Sequence, residues 1–144
     1  MKSVDPDLFI FNGDQIYADN TCPYSVKNKN YPFWKNIPGN FSSVDDLDWN
    51  NVSKLYDEFL AHWEYNREDP HLQDFLKFTS LYSQADDHEV NDNYGGLWKF
   101  LNPSFKEELH NKTGYLNLVK TGIDVFFKFS PIERNQTDPD KIGI

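Results

Sequence analysis

A chain of 144 residues suits one domain, large enough for a single hydrophobic core and short for an elaborate enzyme. Apolar residues make up a modest 38%, but 17% aromatic residues supply large surfaces to bury, which favours a folded over a disordered chain. The formal net charge of −9 argues against nucleic acid as a partner, since no basic stripe exists to displace counterions from a phosphate backbone; it is compatible with divalent cations. The one cysteine, Cys22, cannot form an internal disulfide, so the redox compartment stays open. No window reads as a membrane span, and Met1-Lys2-Ser3-Val4-Asp5-Pro6 lacks the apolar run of a signal peptide. Asn-x-Ser/Thr matches at Asn40, Asn51, Asn111 and Asn135 arise easily by chance in an Asn-rich chain and hint only weakly at secretion.

Asp7-Leu8-Phe9-Ile10-Phe11-Asn12 is a short, continuous apolar run between polar residues, the signature of a strand buried on both faces in a parallel sheet. Gly13 permits a tight turn after it, and Asp14 follows at the strand's carboxyl end, where open α/β sheets place their ligands. An isolated Gly-Asp is more commonly a turn or a helix cap. Thr21 to Phe41 has no period and reads as a long loop whose Tyr24, Tyr31, Phe33 and Trp34 either line a cleft or pin the loop to the fold.

From Val44 the pattern turns helical, with Leu55, Phe59, Leu60 and Trp63 on one face, Asn50 or Asn51 as cap, and Asp69-Pro70 as the stop. His62 on that helix reads as a packing or surface residue. His71 to Leu76 predicts a second, shorter helix with Pro70 near its first turn and His71 exposed. Phe78 to Ala85 alternates and predicts a strand, so the unit from Leu8 to Ala85 is a right-handed crossover between parallel strands. Gly95-Gly96 closes the loop that follows, and Leu97 to Leu101 suits a short helix. Tyr115 to Phe129 is a further helix stopped by Pro131, and Glu133 to Asp140 reads as polar linker.

The crossover brings the residues after Phe11 and after Ala85 to one sheet edge. The second of these stretches, Asp86-Asp87-His88-Glu89-Val90-Asn91-Asp92-Asn93, packs four carboxylates, two carboxamides and an imidazole into eight residues. So many charges repel one another unless a cation or a chemical task offsets them. Carboxylates at the ends of adjacent strands suit hard cations or a mixed metal pair. Asp14 has two oxygens with which to bridge two ions, Tyr17 lies three residues on with a phenolate in reach, and Asp87 offers a ligand from the other strand. His88 is then placed to act on substrate, and a metal pair roughly 3.5–4 Å apart stabilises both the attacking and the leaving oxygen of a phosphoryl displacement.

Phe11-Asn12-Gly13-Asp14-Gln15-Ile16-Tyr17-Ala18-Asp19 and Ala85-Asp86-Asp87-His88-Glu89-Val90-Asn91-Asp92-Asn93-Tyr94 resemble the two central motifs of the alkaline phosphatase D-like metallophosphatases, within the calcineurin-like superfamily. The aromatic helix between them looks similar too. The resemblance spans about Asp7 to Tyr94. It implies an α/β fold that is part of a metallophosphatase-type αββα sandwich. Gly13-Asp14 matches the block whose Asp bridges the metals. Asp86-Asp87-His88-Glu89 matches a Gly-Asn-His-Asp/Glu block, with Asp87 in place of the metal-binding Asn and His88 as the catalytic residue. Tyr17 is similar to an iron-binding tyrosine. Asp86, Glu89 and Asn91 are then residues that orient those ligands, and Asp19 would cap or reach a nearby water. The implied cofactor is a dinuclear centre, iron with calcium or other divalent ions. The implied activity is hydrolysis of small or polymeric phosphate esters at alkaline pH, outside the cytoplasm.

Three departures qualify the match. The superfamily's earlier Asp-bearing strand, the metal-binding cysteine near it and the later histidine motifs have no counterpart here, and Cys22 does not match that cysteine. Residues 1–144 are therefore expected to be a single, incomplete domain lacking amino- and carboxyl-terminal parts, binding metal poorly and turning over little by itself. Two other readings stand beside the phosphatase. An EF-hand counted from Asp87 would need Gly and Glu where Asp92 and Trp98 stand, so a calcium module of that type fails. A non-catalytic acidic calcium-binding or interaction domain remains, in which the charged loop is merely solvated.

Overall fold

A computed structural model of the chain describes residues 6–21, 41–93 and 112–132. The loop aromatics Tyr24 to Trp34, Cys22, Gly95-Gly96, the helix at 97–101 and the tail from Glu133 lie outside them. In chain order the elements are β1 (Leu8–Asn12), a single 3-10 turn (Val44–Asp46), α1 (Val52–Arg67), α2 (Pro70–Leu76), β2 (Ser80–Gln84) and α3 (Lys112–Phe129). The class is α/β: β1 and β2 pair in parallel, with Leu8 opposite Ser80 and Asn12 opposite Gln84, and the helices α1 and α2 form the crossover between them. Both strands therefore end at the same edge, and the chain leaves that edge through Gly13 and through Ala85.

Expectation and structure differ for β1. Its residues alternate between exposed and half-buried, and Leu8 and Ile10 are 54% and 55% exposed, as is Tyr82 of β2 at 54%. The correction has a simple cause: helices lie against only one face of the pair among the described residues. On that face Phe9 meets Phe75 of α2 edge to face at 5.3 Å and Phe11 at 5.0 Å, and the Arg67 guanidinium lies 5.4 Å over the Phe11 ring. An unbroken apolar run reports that both faces suit an apolar neighbour, not that both have one.

The helical pattern from Val44 is also interrupted. The 3-10 turn is capped by Ser43, whose Oγ accepts the Asp45 N–H, and it ends at Leu47; α1 begins only at Val52. Asn51 is the cap of α1, its Oδ1 accepting from the Lys54 N–H at 3.2 Å, so one orphan donor of the first turn is satisfied. Asp69 does the same for α2 through the Leu72 N–H at 2.7 Å, with Pro70 at a position where no N–H is needed. His71 is exposed.

The core lies between α1 and α3. Leu55, Phe59 and Trp63 are fully buried along one stripe of α1, and Tyr115, Leu118, Val119, Val125 and Phe126 face them from α3. Trp63 stacks on Phe129 at 5.5 Å and 8°. Gly122 is what lets this packing reach the acidic loop, since a Cβ there would meet the Glu89 carbonyl and the Phe59 ring at 3.1 Å each. His62 is buried as well, its Nε2–H donating to the Ser42 carbonyl at 2.9 Å beside the Phe41 ring, so it serves the packing.

Candidate metal centre

Gly13 and Asp14 have φ of +85° and +51°, so the chain reverses sharply on leaving β1. For Asp14 this left-handed conformation is one that short polar side chains tolerate. The turn is pressed against the start of the second loop, because a Cβ on Gly13 would fall within 3.0 Å of the Asp86 Cβ. The chain from Gln15 to Ala18 then passes inward: the Ala18 N–H donates to the His88 carbonyl at 3.1 Å, and its own carbonyl accepts from Val44 N–H at 2.9 Å. The two motifs, some seventy residues apart, are thus bonded main chain to main chain.

Glu89 completes the link from below. It is fully buried, and its Oε2 accepts from the N–H groups of Asp14 (3.2 Å) and Asp86 (2.7 Å), its Oε1 from that of Gln15 (2.5 Å). The Ile16 amide also acts on this carboxylate. Desolvation raises the Glu89 pKa, and the main-chain donors pull it back only in part.

On the solvent side, one ligand atom each from Asp14, Asp87 and His88 lie within 4.8 Å of one another. Asp87 holds its own loop in shape, its Oδ1 accepting from His88 N–H at 3.1 Å and its Oδ2 from Asn93 N–H at 2.6 Å. Each oxygen keeps a lone pair for a cation. Tyr17 donates its hydroxyl to Asp14 Oδ2 at 3.2 Å, and its ring lies against the His88 ring at 4.3 Å. The negative charge of Asp14, then desolvation and the hydrogen bond to Asp14, raise the phenol pKa. Without a cation Tyr17 therefore keeps its proton.

His88 bonds Asp19 through Nδ1 at 2.8 Å. An ionised carboxylate only accepts, so Nδ1 carries the hydrogen and Nε2 is turned outward, 3.7 Å from Asp92 Oδ1. Desolvation lowers the His88 pKa, but the hydrogen bond and charge of Asp19, with Asp87 and Asp14, outweigh it and the net shift is upward. Asp86 accepts the Asp87 N–H at 3.0 Å, while Asn91 turns its side chain away from the cluster, to Asp45 Oδ1 at 2.5 Å.

Sequence reasoning did not anticipate the Asp19–His88 pair, although a carboxylate two residues past Tyr17 was its available signal. It also missed the support under Gln15. Asn66 Nδ2 donates to the Gln15 carbonyl at 2.7 Å, and Arg67 Nη2 donates to Gln15 Oε1 at 3.0 Å from between the Phe11 and Trp63 rings. Burial lowers the Arg67 pKa. No signal in the letters tied the end of α1 to the Gly13 turn.

The donor set fits a hard cation: carboxylate oxygens and a phenol, with an imidazole alongside, converging where four acidic side chains crowd one another. The largely buried Asp19 and the exposed Asp92, on either side of His88, form a second such group. No helix among the described residues is long and apolar enough to cross a membrane. No curated protein and no solved structure matches the chain. The family model for PhoD-like phosphatase matches residues 1–142, and the chain belongs to that family.

Proposed function

We propose that this chain takes part in metal-dependent hydrolysis of phosphate esters, monoester or diester, and carries the central part of the site. The observation that supports it is the convergence of Asp14, Asp87 and His88 at the carboxyl ends of two parallel strands. Asp14 and Asp87 would hold the cations, Asp14 shared between two of them, with Tyr17 joining after giving up its proton. A dinuclear centre, iron with calcium by the family's pattern, would supply Lewis acidity to the phosphate and lower the pKa of water. Asp19 keeps the His88 Nδ1–H fixed, so that Nε2 points to the open side and can hold or release a proton at the leaving oxygen. Glu89 and Asp86 shape the two turns, and Asn91 steadies the loop through Asp45.

The test is titration of the purified chain with manganese, calcium and ferrous or ferric iron, together with release of p-nitrophenol from its phosphate mono- and diesters at alkaline pH. Weak metal binding that Asp14→Asn and Asp87→Asn each abolish, with slow hydrolysis lost in His88→Asn, is the expected result. Metal binding unchanged by both carboxylate substitutions would end the reading. Calcium binding with no hydrolysis by any loaded form would replace it with an acidic calcium-binding domain.

A further inference from the structure

Glu89 is fully buried, and its hydrogen-bond partners among the described residues are main-chain amides. The positive φ of Gly13 and Asp14 turns successive N–H groups to one side of the chain, forming a concavity of the kind that binds anions. The Glu89 carboxylate fills that concavity. It bonds Asp14, Gln15 and, from the other loop, Asp86, so one side chain grips both turns at once.

We infer that Glu89 is a positioning residue whose carboxylate, seated in the amide concavity of the Gly13–Ile16 turn, sets the spacing between Asp14 and the Asp87–His88 pair. Asp86, one of its donors, immediately precedes the Asp87–His88 pair, and Asp14 is itself a donor from the other turn. A side-chain carboxylate of fixed length bonded to amides of both turns acts as a spacer that holds Asp14 and Asp87 in place against their mutual repulsion. The positive φ of Asp14 adds a reason. An N–H held by a buried anion offsets the cost of a left-handed conformation at a residue with a Cβ. The role rests on the metal-site reading only where metal affinity is the readout; the grip itself does not.

Two variants test it. Glu89→Gln keeps the shape and loses the charge, and Glu89→Ala empties the concavity so that an added carboxylate can enter. Local amide hydrogen exchange at Asp14, Gln15, Ile16 and Asp86 is to accelerate in both, while α1 and α3 stay protected. Manganese affinity is to fall about 10- to 100-fold, as for other residues that hold ligands in place. Excess sodium formate, but not sodium chloride, is to restore both readouts in Glu89→Ala, which loss of general stability would not allow. Should Glu89→Ala not fold, Glu89→Asp replaces it: one methylene shorter, it is to release the amides of one turn and keep those of the other. Unchanged exchange at the four amides, or loss of protection spread evenly over α1 and α3 without formate rescue, would overturn the proposal. If the parent binds no manganese the metal reading fails, and the exchange data alone then decide the role of Glu89.

Discussion

Replacing Gly13 with alanine probes the contact that joins the two loops. The new methyl carbon would lie within 3.0 Å of Asp86 Cβ, 3.2 Å from Asp86 N and 3.3 Å from Asp86 Cγ. Two of these atoms sit in or next to the main chain, so no flexible side-chain end can swing away to relieve the clash. Restoring ordinary contact requires the Asp86 turn to retreat by on the order of 1 Å. A side chain at φ +85° adds roughly 1–2 kcal/mol of backbone strain, and overpacking adds roughly 1–3 kcal/mol. Together these give a loss of about 2–5 kcal/mol. Urea unfolding followed by tryptophan fluorescence measures it, and the retreat of Asp86 should also lower metal affinity by separating Asp14 from Asp87. An unfolding free energy within about 0.5 kcal/mol of the parent, the range of ordinary surface substitutions, would refute the argument.

Trp63→Ala is expected to cost about 3–5 kcal/mol, because the ring is fully buried between Phe126 and Phe129 and carries the Arg67 guanidinium 5.3 Å above it; a loss under about 1 kcal/mol in thermal or urea unfolding would show that the core closes over the gap. Burial lowers the His62 pKa, against the opposing pull of the Ser42 carbonyl, Glu58 and Asp19. The unfolded chain then takes up a proton at His62 before the folded chain does. His62 therefore contributes stability above its ordinary pKa of about 6.5, and that contribution fades as pH falls through this value towards the folded pKa. The stability difference between the parent and His62→Asn, measured between about pH 5 and 8, should shrink on the acid side; an imidazole NMR titration midpoint at or above about 6.5 would contradict the reasoning.

The letters carried the elements whose causes are local. Asn51 and Asp69 each place an acceptor three residues before an orphan amide, and Pro70 and Pro131 stop what precedes them, so the helices were legible to within a few residues. The run Leu8 to Phe11 announced a strand, but burial on both faces depends on what lies opposite each face, which the run itself does not contain. The break between the 3-10 turn and α1 was hidden because Val44, Leu47 and Leu55 keep a helical spacing across it. What the spacing could not show is that Trp49 Nε1 bonds the Val44 carbonyl at 2.9 Å and closes the turn on itself.

For the site, residue type and order determined which groups could serve: a Gly-Asp after one strand, an Asp-Asp-His-Glu after the next, and a crossover that must return them to one edge. A parallel pairing leaves no other arrangement for their carboxyl ends. The tertiary structure decided how the groups are held. His88 takes its tautomer from Asp19, the negative charge of Asp14 beside Tyr17 raises the phenol pKa, and Glu89 works from inside the fold on amides of both turns. The Tyr17–Asp14 contact is local, three residues apart, but the Asp19–His88 and Glu89 contacts join segments 69 to 75 residues apart, and such distances follow from how α1, α3 and the sheet pack, not from any pattern within a segment.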